Sequence, residues 1–144
     1  MIAVDTNILL YAHREDAPWH RVATERLAGL GGRRWAIPWP CLHEFVAIAT
    51  HPRVFDPPSP MGDALAAVQG WVESPTLTLL GELDGYFDVL ASLLRESQVV
   101  GPRVHDARIA ALCVQHSVRE LWTADRDFSR FPTLTTRNPL AAAE

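Results

Sequence analysis

Four acidic residues raise the question of chemistry: Asp5, Glu44, Asp106 and Asp125. Asp5 follows Ile2-Ala3-Val4 and Asp125 follows Leu121-Trp122-Thr123-Ala124, so each stands where a short buried strand is expected to run out. Asp106 opens a helical segment and shares one of its faces with Ile109, Ala110 and Cys113. Glu44 stands one turn into another helical segment, in line with Ala47, Ile48 and His51. Singly, each acid has a plainer role: Asp5 as a helix cap, Asp106 as a helix-start charge, Asp125 as a turn former, Glu44 as an arginine partner. Together, two at strand ends and two heading largely apolar stripes point to a shared site. Two carboxylates ~5 Å apart repel by roughly 3 kcal/mol at an effective dielectric of about 20. Such a group takes up protons or surrounds a cation. Oxygen donors without His or Cys favour Mg²⁺, with Mn²⁺ as the alternative. One or two such ions can activate a water and stabilise the leaving oxygen of a phosphodiester.

The elements that must position these acids alternate in type. Strands are expected at Ile2–Val4, Trp35–Pro38, Thr76–Leu80, Leu121–Ala124 and Thr133–Thr135. Helices are expected at Thr6–His13, Ala17–Leu30, Pro40–His51, Met61–Glu73, Asp84–Ser97 and His105–Ser117. Tyr86, Val89, Leu90, Leu93 and Leu94 give the clearest helical stripe, with Asp84 as its expected N-cap. The segment Pro52–Pro60 reads as an ordered surface loop and Leu140–Glu144 as a fraying tail. Strands separated by helices predict an α/β fold with a mainly parallel sheet of four to five strands covered on both faces. In such sheets ligands bind beyond the carboxyl ends of the strands, where the strand order reverses. Asp5 and Asp125 converge there if their strands are neighbours.

The chain has 144 residues and a net charge of −4, the length of one domain, 1–144. That charge excludes a generally basic nucleic-acid coat, so any nucleic acid must be met by a local basic patch or through metal ions. All 13 cationic residues are arginine, and GC-rich codon usage explains that as readily as phosphate recognition does. Arg14, Arg33, Arg34, Arg103, Arg108 and Arg126 are available to phosphates, although each alone reads as a solvated or paired charge. The five tryptophans read mainly as packing residues. Cys41 and Cys113 form no CxxC pair and read as small apolar filler. No signal peptide and no apolar run of spanning length is visible, so a cytoplasmic setting without membrane contact is expected.

At the four acids the chain resembles the PIN-domain nucleases, and among them the VapC-type toxins of toxin–antitoxin modules. The opening Ile2-Ala3-Val4-Asp5-Thr6-Asn7-Ile8-Leu9-Leu10, the acid Glu44, the segment Asp106-Ala107-Arg108-Ile109-Ala110-Ala111 and the segment Thr123-Ala124-Asp125-Arg126-Asp127-Phe128 carry the resemblance. It implies a PIN-like three-layer α/β/α sandwich and Mg²⁺-dependent RNA cleavage, with Asp5, Glu44, Asp106 and Asp125 holding the metal. Thr6, Asn7 and Thr123 would orient those carboxylates, and Asp127 would be a local structural acid. A homodimer and a cognate antitoxin laid over the acidic site are also implied. The long Pro52–Pro60 loop and the Val99–Val104 loop, which carries Gly101-Pro102-Arg103, depart from a minimal toxin of this kind and are expected to shape a substrate groove.

Rival chemistries lack their residues. His43-Glu44 begins an HExxH zinc motif, but Ala47 stands where its second histidine should be. His105 reads as a helix-start residue. Gly29-Leu30-Gly31-Gly32 is no dinucleotide loop, and without lysine no phosphate-binding P-loop and no signalling receiver can be built. An aspartyl phosphatase of the DxDxT pattern would need acid and threonine where Asn7 and Leu9 stand. No GxSxG elbow is present. A catalytically silent PIN-like binding module is the remaining alternative, against which the complete acid set argues.

Overall fold

The computed structural model describes residues 1–141. Its elements in chain order are β1 (Ile2–Val4), α1 (Thr6–His13), α2 (His20–Leu30), β2 (Trp35–Pro38), α3 (Trp39–Ala49), α4 (Met61–Val72), β3 (Leu77–Leu80), α5 (Tyr86–Ser97), α6 (Val104–Gln115), β4 (Glu120–Trp122) and β5 (Thr135–Arg137). Short 3₁₀ turns lie at Gly101–Arg103 and Arg126–Arg130. The five strands form one sheet in the order β3-β2-β1-β4-β5, with every pairing parallel. The chain steps outward from β1 to β2 and β3, then returns to β4 on the other side of β1. Right-handed crossovers therefore set α1–α4 on one face and α5–α6 on the other. The helix contacts agree: α1 packs on α2 and α3, α3 on α4, and α5 on α6, which also lies against β2. The result is the expected three-layer sandwich around a parallel sheet.

The strand order reverses between β1 and β4. These two strands pair with Val4 opposite Trp122, so their carboxyl ends emerge side by side. Both are apolar and shielded on each face, and Ala3, Val4, Leu121 and Trp122 are all buried. β2, with the same character, closes the other side of β1, while Thr135–Arg137 at the edge is fully exposed.

Several expected boundaries move, each for a local reason. α2 begins at His20 rather than Ala17, because Pro18 disfavours helical backbone in the residue before it. Gly85, not Asp84, caps α5: the turn out of β3 needs φ +81°, a glycine conformation, which leaves Asp84 outside the helix with no capping bond. β4 ends at Trp122, so Thr123 and Ala124 fall beyond it, and β5 begins two residues later than expected because Leu134 is drawn into the core by the turn from Phe131. The expected tail is anchored at its start, since Leu140 is buried; residues 142–144 of that tail lie outside the described residues. The Pro52–Pro60 loop is ordered as expected. Its buried Ser59 hydroxyl lies 2.9 Å from His13 Nε2 and accepts from Arg14 at 3.2 Å.

Candidate active site

Asp5 forms the floor of the site. Its backbone N–H still donates to Trp122 at 2.9 Å, so it is the last rung of the ladder, and its extended backbone makes it the N-cap of α1. The plain capping role and a place in the acidic site thus coexist in one residue. Oδ1 accepts from the Thr6 N–H at 2.7 Å and from the Cys41 thiol at 3.5 Å. Oδ2 accepts from the Thr123 hydroxyl at 2.7 Å and from Asn7 Nδ2 at 3.5 Å. Each oxygen therefore has one short bond and one long one, which leaves acceptor capacity for a cation. Asp5, Thr6 and Thr123 are each 5 % exposed or less.

Thr6, Asn7 and Thr123 knit the acids together. The Thr6 hydroxyl donates to Glu44 Oε2 at 3.3 Å. Thr123 Oγ1 accepts the Asp125 N–H at 3.0 Å while donating to Asp5. Asn7 bridges from Thr123 Oγ1 to the Ala124 N–H, fixing the β4 exit against the start of α1. Asp125 accepts the Asp127 N–H at 2.8 Å, which caps the following 3₁₀ turn. That turn swings Asp127 into the site: Asp106, Asp125 and Asp127 each offer a carboxylate oxygen within 4.8 Å of the others. Asp127 is therefore part of the cluster, beyond the purely local role expected for it. It also forms an ion pair with Arg103.

Asp106 holds the position expected for it, in the first turn of α6, whose buried face carries Ile109, Ala110 and Cys113. Glu44 differs. α3 buries Cys41, Leu42, Phe45 and Ala49, whereas Glu44 and Ala47 are exposed. The core stripe runs one residue, about 100°, out of phase with the expected one. Glu44 consequently reaches the other acids from the rim. His105 is exposed beside it and makes no side-chain hydrogen bond among the described residues. Cys41 and Cys113 do more than fill space, because both lie buried in the field of Asp5. Spacing was the available signal for one of them: Cys113 lies two turns from Asp106 on the same face of α6.

The electrostatics follow from burial and crowding. Burial raises the Asp5 carboxyl above its ordinary range, partly opposed by its bonds to Thr123, Thr6 and Cys41, and the charge of Asp125 raises it further. Burial, then the charges of Asp125, Asp5 and Asp127, push Asp106 up to about 6, against the opposing pull of Arg103. Glu44 is raised by burial and then by Asp5. Burial, followed by the Asp5 charge, lifts the Cys113 thiol to about 12 and the Cys41 thiol well above its usual value, so neither is an available thiolate ligand. The donor set is thus all carboxylate, crowded, half open to solvent and short of positive charge. It fits a hard divalent cation.

The PIN domain model matches residues 2–134. Ribonuclease VapC33 of Mycobacterium tuberculosis is 33% identical over 142 residues, covering 97% of this chain and 99% of the relative. Ribonuclease VapC37 of the same species is 32% identical over 143 residues, covering 98% and 99%. Among solved structures, VapBC2 from Rickettsia felis bound to a promoter DNA fragment superposes with a TM-score of 0.68 at 17% identity, covering 95% of this chain and 98% of that one. VapC20 from M. tuberculosis, a sarcin–ricin loop cleaving toxin, superposes with a TM-score of 0.65 at 18% identity, covering 90% and 93%. The chain belongs to the PIN-domain family. Within that family it stands with the VapC ribonucleases.

Proposed function

We propose that this protein is a Mg²⁺-dependent endoribonuclease, a single nuclease domain that acts as the toxin of a toxin–antitoxin pair. The observation that carries the reading is the crowding of Asp106, Asp125 and Asp127, whose carboxylate oxygens lie within 4.8 Å of one another, with Asp5 and Glu44 close enough at the carboxyl ends of β1 and β4 to feel the same charges. The full-length likeness to proteins named as VapC ribonucleases supports RNA as the substrate.

Asp5, Glu44, Asp106 and Asp125 are the residues to hold Mg²⁺, or Mn²⁺ in its place, and the spacing of Asp127 supports adding it to the set. Bound there, the ion would lower the pKa of a water and offset charge on the scissile phosphate. Thr123 and the Thr6 N–H fix the Asp5 carboxylate at 2.7 Å each, so the floor does not reorganise as charge develops above it. Glu44, raised and exposed at the rim, is placed to accept a proton from an attacking water.

An antitoxin partner is supported by solved neighbours described as VapBC assemblies. A homodimer is supported by Leu83, Phe87 and Val114, which the α5–α6 layer leaves exposed, Phe87 at 73%. No helix among the described residues is long and apolar enough to cross a membrane, which is compatible with the expected cytoplasmic setting.

The test is cleavage of total cellular RNA with end mapping, in Mg²⁺ and in EDTA, for the wild type, Asp5→Ala and Asp106→Ala. Discrete cuts that need both metal and acids support the reading. Equal cutting by both variants would sink it. Growth arrest on expression, relieved by co-expressing the neighbouring small gene, tests the toxin role, and sedimentation of wild type against Phe87→Asp tests the dimer.

A further inference from the structure

Beyond Asp106 and Asp127 the acidic cluster opens into a cleft of about 560 Å³, walled by Gln98, Val100, Arg103, Asp106, Asp127 and Arg130 among others. Arg103, just before α6, pairs with Asp127, and Arg130 ends the 3₁₀ turn that carries Asp127, so two guanidiniums and two carboxylates line the same cleft. The connection from α5 to α6 holds this shape by two backbone reversals. Gln98 ends α5 in the left-handed region, and Gly101 adopts φ +61°, where any side chain would be strained. Pro102 then stiffens the 3₁₀ turn that presents Arg103. Between the reversals Val99 is buried and Val100 stands 78% exposed beside the cleft.

Arg103 is only partly spent on Asp127. Its Nη1 is buried against Asp127 Oδ2 as an ion pair. The contact engages one nitrogen of the guanidinium, and Nε and Nη2 make no hydrogen bond among the described residues. Arg130 is exposed and pairs with no acid among the described residues. In a chain of net charge −4, two guanidiniums beside the acids put an anion site against a cation site. A nucleic-acid strand matches that juxtaposition: one phosphate at the carboxylates, the next on the arginines, and an apolar side chain beside the intervening nucleoside.

We propose that this cleft is the subsite for the nucleotide adjoining the scissile bond, with Arg103 and Arg130 on its phosphate and Val100 against its base or ribose. The inference rests on the nuclease reading above. Asp127 links the two halves: a cation among the acids draws on its carboxylate, and the Arg103 donors then have a phosphate as their charged acceptor. Arg103 and Arg130 are positioning residues in this scheme. They hold the strand in register while Asp5 and its neighbours serve the reacting phosphate.

The test uses a fluorescent single-stranded RNA hexamer. Its Kd is read by anisotropy over a salt series with Mg²⁺ present, in an Asp5→Asn background that stops turnover. KM and kcat are measured in the wild-type background. Arg103→Gln and Arg130→Gln should each raise Kd about tenfold, the loss of one charged hydrogen bond of about 1.4 kcal/mol. Each should also flatten the slope of log K against log salt by about 0.7. The loss should appear in KM rather than kcat. Arg21→Gln, at an exposed pair on α2, serves as the control and should change neither Kd nor slope. Arg130 touches no acid, so its variant keeps the test sound should Arg103→Gln unfold. If wild type cuts RNA and both variants bind with unchanged Kd and slope, the subsite is overturned and the nuclease reading stands. If wild type neither cuts nor binds RNA, both fall together.

Discussion

The two ends of the sheet make opposite use of the same strands. At the carboxyl end, Asp5 is buried, Asp106, Asp125 and Asp127 are half-buried and Glu44 stands exposed at the rim, and Asp5 is fixed by short bonds from Thr6 and Thr123. At the amino end, Arg33, Arg34 and Arg119 surround a larger cleft of about 860 Å³ with Met1, Glu120 and Thr135. There the arginines are exposed and form no ion pair among the described residues. The larger opening lacks fixed groups. The smaller space borders acids whose orientation other residues determine, Asp125 through Thr123 and the Asp127 N–H and Asp127 through Arg103. Catalysis needs that preorganisation, and volume alone does not supply it.

The comparison can be broken most directly at Asp106. Asp106→Asn keeps the shape and removes one charged oxygen, so metal-dependent cleavage should fall on the order of 10³-fold; initial rates on RNA decide. Thr123→Val comes next. It removes the hydroxyl that donates to Asp5 and accepts from Asp125 N–H, and activity or Mn²⁺ affinity should drop about 10- to 100-fold. Isothermal titration with Mn²⁺ reads the affinity directly, and a full retention would show the floor to be self-sufficient.

A smaller effect comes with pH. Asp106, raised to about 6, must lose its proton to hold a cation. Apparent Mn²⁺ affinity should therefore weaken by about tenfold for each pH unit below about 6, and level off above it. The same shift has a stability sign. A carboxyl raised in the fold ionises more readily in the unfolded chain, so metal-free stability declines as pH rises from the ordinary carboxylate range through about 6. In EDTA at neutral pH, Asp106→Asn should thus raise Tm by a few degrees, roughly 1 kcal/mol once solvent screening of this half-exposed group is allowed for. Near pH 4, where Asp106 is protonated in the fold, the gain should vanish. The least effect is expected at the opposite end: Arg33→Gln, Arg34→Gln and Arg119→Gln combined should change cleavage by less than about twofold at moderate salt. A larger loss would make the amino end part of the substrate path.

Much of the fold was legible because it rests on local rules. The apolar runs Ile2–Val4 and Leu121–Ala124 and the stripe on α5 announce their elements by local pattern. What failed was phase and ends. Glu44 shares its stripe with Ala47 and Ile48 as the spacing implies, but that stripe does not face the core, because α3 is apolar on more than one side and only packing selects Cys41 and Phe45 as the core pair. Asp84 lost its capping place to Gly85, because the direction of the chain leaving β3 outweighs a good cap.

The sequence by itself determined the chemical type of the site: oxygen donors at strand ends, no lysine, no zinc or nucleophile motif, a set suited to a hard cation. Tertiary structure decided which residues meet. That Asp127 joins Asp106 and Asp125 depends on a 3₁₀ turn that Asp125 itself caps. That the two cysteines lie beneath Asp5 depends on two helices from opposite layers approaching the same strand end. Residue identity sets what a group can bind, whereas the distances between groups far apart in the chain come from strand order and helix phase, which are settled by burial across the whole core.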